Sequence, residues 1–86
     1  MADLQEIGDV VMKFAKQSTQ FLTPGQFSDP IHPAISSLTD DAFHQFFFDL
    51  LHALTQSGIT AKLPMEALRA CKTWRDVAVL ILHFQD

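Results

Sequence analysis

Four histidines and one cysteine are the residues of this 86-residue chain whose types first raise the question of chemistry. A zinc site needs four convergent ligands, or three and a water molecule. The histidines are scattered, no two of them have i,i+4 spacing, and the cysteine is far from three of them; they are His32, His44, His52 and His83. The sequence therefore predicts no metal site, and the histidines are interpreted as surface or capping residues.

Asp49 and His52 are three residues apart, which places them on one face if the segment is helical. They could orient each other as a base and its partner. Nucleophilic catalysis would also need a serine or cysteine beside them, and no local motif provides one. A surface ion pair is therefore the preferred interpretation.

Cys71 is the single cysteine, so it cannot form an internal disulfide. Lys72 and a following helix start could lower its thiol pKa, but the preferred interpretation is a small, half-buried apolar residue. The "TPGQ" stretch around Gly25 lacks the spacing and the Lys-Ser/Thr pair of a phosphate loop. No catalytic residue is predicted, and we expect the chain not to be an enzyme.

The composition predicts one small domain with a surplus of apolar side chains. The chain is 48% apolar and contains eight phenylalanines and one tryptophan. A chain of this length buries only about 60–65% of its unfolded surface, so its core is small. Apolar residues in excess of the core often form partner sites, and this surplus is a first indication of an interface.

The net charge and the distribution of apolar residues limit the expected cellular location and the expected class of partner. The net charge is −4 and the basic residues do not cluster, which argues against nucleic acid because phosphate backbones require Lys and Arg. The acidic start "MADLQEIGDVVMKF" does not resemble a signal peptide, and no apolar run has the length of a membrane span. We expect a cytoplasmic protein without a membrane span.

The hydrophobic periodicity predicts an all-α domain over residues 1–86. Residues 4–17 form an amphipathic helix, in which Asp9 and Lys13 make an i,i+4 pair. A second helix begins after Thr39 as N-cap and ends at Gly58. A short helix follows Pro64, and Thr73 with Asp76 opens the last one as a capping-box variant. We expect a small four-helix bundle.

A long connection over residues 18–38 contains the helix-breaking residues Pro24, Gly25, Pro30 and Pro33. A short helical turn within it would be compatible with this pattern. Its apolar residues are expected to anchor it to the core; they are Phe21, Leu22, Phe27, Ile31 and Ile35.

The second helix has three kinds of positions. The expected core stripe comprises Phe43, Phe46, Phe47, Leu50 and Leu54, and the opposite polar stripe comprises Gln45, Asp49, His52 and Gln56. Phe48 and Leu51 lie between the stripes and widen the apolar face beyond what one small core usually covers. The last helix is apolar nearly all round, and Trp74 is expected in the core.

The C-terminal half, "GITAKLPMEALRACKTWRDVAVLI", resembles the second half of an acyl carrier protein. In that family an apolar-x-apolar-Pro segment precedes a short third helix, and the last helix opens with Thr, an apolar residue, any residue, Asp and an apolar residue. The matching positions are Ala61, Leu63 and Pro64, then Thr73, Trp74, Asp76 and Val77. The first helix and Phe27 also occupy the family's positions, so the resemblance implies a carrier-like fold with a long loop between helices 1 and 2.

The central part departs from the family pattern. The family's Asp-Ser-Leu, whose serine carries a phosphopantetheine arm, is absent, and the nearest string is Ser36-Ser37-Leu38. If Ser37 were the modified residue, the following helix would be about two turns too long. Alignment backwards from Pro64 instead places His44 or a phenylalanine near the serine position.

The leading hypothesis is a non-catalytic protein–protein interaction module with a carrier-like helical fold, acting as a homo-oligomer or as a subunit of a larger assembly. The resemblance implies a partner surface on the second helix, and the residues predicted to form it are Phe48, Leu51, Asp49, His52 and His44. No cofactor is predicted. The alternative is a divergent acyl or peptidyl carrier protein modified with phosphopantetheine at Ser37.

Overall fold

The structure, a computed structural model that describes residues 2–86, contains four α-helices and no β-strand within that range. The helices are α1 (Leu4–Gln17), α2 (Asp40–Gln56), α3 (Met65–Arg69) and α4 (Trp74–Phe84). The predicted all-α class with four helices is therefore confirmed, and α1 has the bounds expected from its periodicity. Within the described part of the chain, no helix combines the length and apolar character needed to cross a bilayer.

The helix ends are determined by the side chains that the sequence indicated. The Ala42 N–H donates to Thr39 Oγ1 over 3.2 Å at the start of α2. Gly58 follows α2 with a φ of 79°, a left-handed conformation that glycine adopts without a Cβ clash. At the start of α4, the Asp76 N–H donates to Thr73 Oγ1 and the Thr73 N–H donates to Asp76 Oδ2, which is a reciprocal capping box.

The core lies between α1, α2 and α4, with α1 and α4 forming the most extensive helix pair. All five residues of the expected α2 stripe are buried, and Trp74 is fully buried as expected. The other buried residues of the helices are Ile7, Gly8, Val11, Ala15, Leu68, Val77, Ala78 and Ile81. On α4 the remaining apolar side chains are only partly covered, and Val79 and Phe84 are exposed.

The chain between α1 and α2 contains one 3-10 turn, Ile35–Ser37. Of its expected anchors, Phe21, Ile31 and Ile35 are buried and Phe27 is half-buried. The prediction for Leu22 is wrong, because its side chain is 67% exposed. The chain bends at Phe21, whose side chain packs into the core, and the adjacent Leu22 side chain projects into solvent.

Backbone pairing fastens the extended segments to both ends of α4. The Ile31 N–H donates to the Lys72 carbonyl over 2.8 Å, next to an isolated bridge between Pro30 and Thr73. At the other end, an isolated bridge joins Ala61 to Gln85. These contacts satisfy backbone groups that neither helix nor sheet would pair.

A single ion pair is present within residues 2–86, between Arg69 and Asp40 at 3.5 Å. The expected pair of Asp9 and Lys13 is not formed. Both of those side chains are exposed, and an exposed ion pair gains little over separate hydration.

Candidate partner-binding site

Phe48 is the most prominent apolar feature of the α2 surface. Its side chain is 60% exposed, although α2 buries the two preceding phenylalanines, Phe46 and Phe47. The Phe48 ring meets the Phe47 ring edge-on, with 5.6 Å between the ring centroids. The aromatic ring is thus supported by the core on one side and open to water on the other, which is a typical arrangement at partner sites.

Two histidines flank Phe48 along the helix, and the charged residues of α2 are all acidic. His44 and His52 lie one helical turn before and after Phe48, and both are exposed. Asp41 lies about two turns before Phe48 on the same face. The helix contains three aspartates and no lysine or arginine; they are Asp40, Asp41 and Asp49. The exposed face of α2 therefore carries an aromatic ring between two histidines, on a helix whose formal charges are all acidic.

Leu51 differs from Phe48 in its environment. Its side chain is half-buried and packs against the core cluster. Its substitution would therefore disturb folding as well as the surface. Of the two apolar residues predicted to meet a partner, the structure leaves Phe48 open and places Leu51 partly in the core.

Asp49 and His52 lie on the side of α2 that faces the end of α1. They contribute to one wall of a groove of about 420 Å³, whose other wall includes residues 17–20. The Asp49 carboxylate accepts a hydrogen bond from Gln45 Nε2 over 2.8 Å. The expected Asp49–His52 ion pair is not formed. The five predicted residues thus divide: Asp49 and His52 line this groove, whereas His44, Phe48 and Leu51 do not.

Arg69 of α3 holds the start of α2. Its Nη2 donates to the Leu38 carbonyl over 2.6 Å, and its Nη1 lies 3.5 Å from Asp40 Oδ1. The guanidinium also lies over the Phe43 ring, 4.8 Å from the ring centroid. One planar cation therefore engages the residue before the N-cap, the first turn and the core face of α2. Sequence reasoning did not identify this contact, which spans 31 residues.

Ser37 lies in the 3-10 turn, with Leu38 and the N-cap Thr39 between it and α2. Its hydroxyl is exposed and donates to the Ala34 carbonyl over 2.7 Å. The accessible hydroxyl fits attachment of a phosphopantetheine arm, whereas two features do not. The preceding residue is Ser36 instead of an aspartate, and α2 begins three residues after Ser37 instead of at it.

A second groove, on the outer face of α1, was not anticipated from the sequence. It has a volume of about 480 Å³ and is lined by Leu4, Gln5, Gly8, Asp9, Met12 and Phe27. A Cβ atom on Gly8 would lie 3.1 Å from Phe27 Cζ, so the glycine allows the ring to approach the helix closely. The sequence feature that could have indicated this groove is the glycine itself, because a glycine in the middle of a helix costs about 1 kcal/mol of stability relative to alanine.

Cys71 is the single cysteine of the chain, and its side chain is half-buried. Burial, and secondarily the negative charge of Asp76, raises the pKa of the Cys71 thiol to about 11. The thiol is therefore a poor nucleophile at neutral pH. Within residues 2–86, no group of three or more His, Cys, Asp or Glu side chains converges to hold a metal ion.

Comparisons with known proteins give no family for this chain. No family model matches the sequence, no curated protein matches it at a significant level, and no solved structure matches its fold at a significant level.

Proposed function

We propose that the chain is a non-catalytic protein–protein interaction module with a carrier-like helical fold, which acts as a homo-oligomer or as a subunit of a larger assembly. The observation that carries the proposal is the 60% exposure of Phe48 on a helix whose other phenylalanines are buried. A large aromatic side chain in the centre of a polar helix face is a frequent binding hot spot.

The setting of Phe48 supports a preformed site. It lies in the third turn of α2, near the middle of the helix, whose start is capped by Thr39 and held by Arg69. A residue on a rigid helix loses less conformational freedom on binding than a residue on a mobile loop, so more of the contact energy remains for affinity. His44 and His52 provide polar groups at the rim, where interfaces are usually hydrated.

The carrier-like arrangement is part of the proposal, since it rests on the resemblance of residues 58–81 to the second half of an acyl carrier protein. In that family the second helix meets partner enzymes through acidic residues. Here Phe48 stands among the acids, which favours a more apolar and longer-lived contact than a carrier's brief encounters. We place the protein in the cytoplasm, where an unpaired thiol such as Cys71 stays reduced.

The test compares Phe48→Ser with Val79→Ser, a matched loss of an exposed apolar side chain from α4. Mass in solution is measured by light scattering over a dilution series, and both variants are also used as bait in extract from the source cells. We expect Phe48→Ser to abolish self-association or retention of a specific protein, and Val79→Ser to retain it. Equal behaviour of wild type and Phe48→Ser in both assays would exclude the α2 surface.

The alternative function, a divergent acyl or peptidyl carrier protein, is favoured by one observation: the exposed hydroxyl of Ser37 near the start of α2. Co-expression with a phosphopantetheinyl transferase followed by intact-mass measurement tests it. A true carrier gains the mass of the arm, Ser36→Ala also gains it, and Ser37→Ala does not. An unchanged mass of the wild-type chain would exclude this function.

A further inference from the structure

The outer face of α1 offers an apolar recess that has no partner within the described residues. The half-buried ring of Phe27 lies against Gly8, and Leu4 and Met12 provide the other apolar surfaces. A second depression, of about 440 Å³, continues along the same helix past Met12, and its lining includes Lys13 and Lys16. The two depressions share Asp9 and Met12, so a recess for an apolar side chain runs into a basic end.

We propose that this groove is the docking site for α2 of a second copy of the chain, with Phe48 of that copy seated between Gly8, Met12 and Phe27. The inference rests on the proposed function, because it names the partner of the same α2 surface. A second copy of the chain provides the apolar side chain that the groove would bind, because Phe48 is the most exposed phenylalanine of the described residues.

Charge complementarity supports this occupant. The exposed face of α2 carries only acidic formal charge, and its first-turn Asp41 has no ion-pair partner among residues 2–86. The far end of the α1 groove carries Lys13 and Lys16, which also have none. Contact between the two faces would bring these charges together, whereas an α2–α2 contact would bring like charges together and be disfavoured.

The spacing of the groups along the two helices agrees with this pairing. Asp41 precedes Phe48 by seven residues, which is about 10 Å along the helix axis. Lys16 follows Gly8 by eight residues, which is about 12 Å. When Phe48 lies beside the Phe27 ring at the level of Gly8 along the helix axis, an antiparallel α2 therefore places Asp41 near Lys16. The acidic N-terminal turn of one helix then meets the basic C-terminal turn of the other, and the two helix dipoles are antiparallel.

This contact uses two different surfaces, so it is a head-to-tail interface. Each copy presents one α2 and one α1 groove, and after two copies have joined, one of each remains open. Such interfaces continue into rings or chains, whereas a self-complementary interface stops at a dimer. We therefore expect the average mass to rise beyond that of a dimer as the concentration increases.

The experiment mixes two variants that each lack one half of the interface. Phe48→Ser removes the inserted ring and retains the groove. Met12→Glu places a negative charge in the groove and retains Phe48. Lys62→Glu, an exposed change outside both surfaces, controls for added negative charge. Circular dichroism and the denaturation midpoint verify that each variant is folded.

We expect each single variant to associate at least about 30-fold more weakly than the wild type, as at an interface hot spot. We expect their equimolar mixture to form a 1:1 dimer and nothing larger, because one complete interface is then available. Lys62→Glu should associate like the wild type. A charge exchange provides a second readout: Asp41→Lys and Lys16→Glu should each weaken association, and their mixture should restore it.

Two results would overturn the inference, and they differ in what they imply for the proposed function. If Met12→Glu associates like the wild type while Phe48→Ser does not, α2 binds a different surface, and the interaction module survives without the α1 groove. If the wild-type chain is monomeric at every concentration, the occupant of the α2 surface is another protein, and only the extract assay still tests the module.

Discussion

Arg69→Ala is the substitution for which the structure predicts the clearest energetic effect. The guanidinium of Arg69 donates to the Leu38 carbonyl over 2.6 Å, lies 4.8 Å from the Phe43 ring centroid and is 3.5 Å from an Asp40 oxygen. It connects α3 to the first turn of α2. Alanine removes all three contacts at once and leaves the half-buried Leu38 carbonyl to water.

The three contacts contribute unequally. A hydrogen bond from a charged donor contributes about 1.5–3 kcal/mol, and a partly exposed cation–π contact about 0.5–1 kcal/mol. Asp40 is 88% exposed, so its ion pair adds close to nothing. Arg69 itself is 31% exposed, and water can partly replace its hydrogen bond. We therefore expect a loss of about 2 kcal/mol in the free energy of unfolding, or roughly 8–16 °C in Tm for a domain of this size.

Urea denaturation followed by circular dichroism measures this loss, with an unchanged m-value as the criterion for an intact two-state transition. Arg75→Ala is the matched control, because Arg75 is exposed on α4, and it should change stability by less than about 0.5 kcal/mol. Arg69→Lys should lie between wild type and Arg69→Ala, since lysine keeps the charge but not the planar fork. An Arg69→Ala chain as stable as Arg75→Ala would refute the reasoning.

Three further predictions concern other parts of the molecule. Trp74 Nε1 is buried with no hydrogen-bond partner within residues 2–86, so Trp74→Phe should lower the free energy of unfolding by less than about 1.5 kcal/mol, against about 3–5 kcal/mol for Trp74→Ala. Similar losses for the two variants in thermal denaturation would contradict this. Burial raises the pKa of the Cys71 thiol from 9.0 to about 11, so its alkylation by iodoacetamide at pH 8 should be roughly tenfold slower in the folded than in the urea-unfolded chain. Mass spectrometry measures the two alkylation rates, and equal rates would contradict the raised pKa. Gly8→Ala should stabilise the chain by about 1 kcal/mol, the full gain in helix propensity, in a Phe27→Ala background, and by less than that while the Phe27 ring is present. A double-mutant cycle without coupling between the two positions would show that the ring does not constrain the glycine.

Part of the candidate site was predictable from the sequence. The spacing of phenylalanines on α2 separated the core residues Phe46 and Phe47 from Phe48, because a helix turns each residue by a fixed angle. The same argument placed Leu51 beside Phe48. It could not distinguish the half-buried leucine from the exposed phenylalanine, since that difference depends on which neighbouring elements cover each side of the helix.

Contacts between distant segments were beyond sequence reasoning. The groove on α1 forms because the loop carrying Phe27 folds onto Gly8. The contacts of Arg69 form because α3 lies against the start of α2. The contacting residues are 19 and 31 positions apart in the sequence, and no local pattern specifies the path of the chain between them. The exposure of Leu22 was mispredicted because the bend at Phe21 decides which of the two adjacent side chains turns to the core.

The sequence by itself determined the helices and their ends. The caps Thr39 and Thr73, the left-handed Gly58 and the periodic apolar residues act through hydrogen bonds, dihedral angles and side-chain spacing within a few residues of one another. The tertiary structure alone decided which apolar residues stay exposed and which polar groups meet across the fold. Burial is a property of the packed elements together, and an individual residue acquires it only when the rest of the chain is in place.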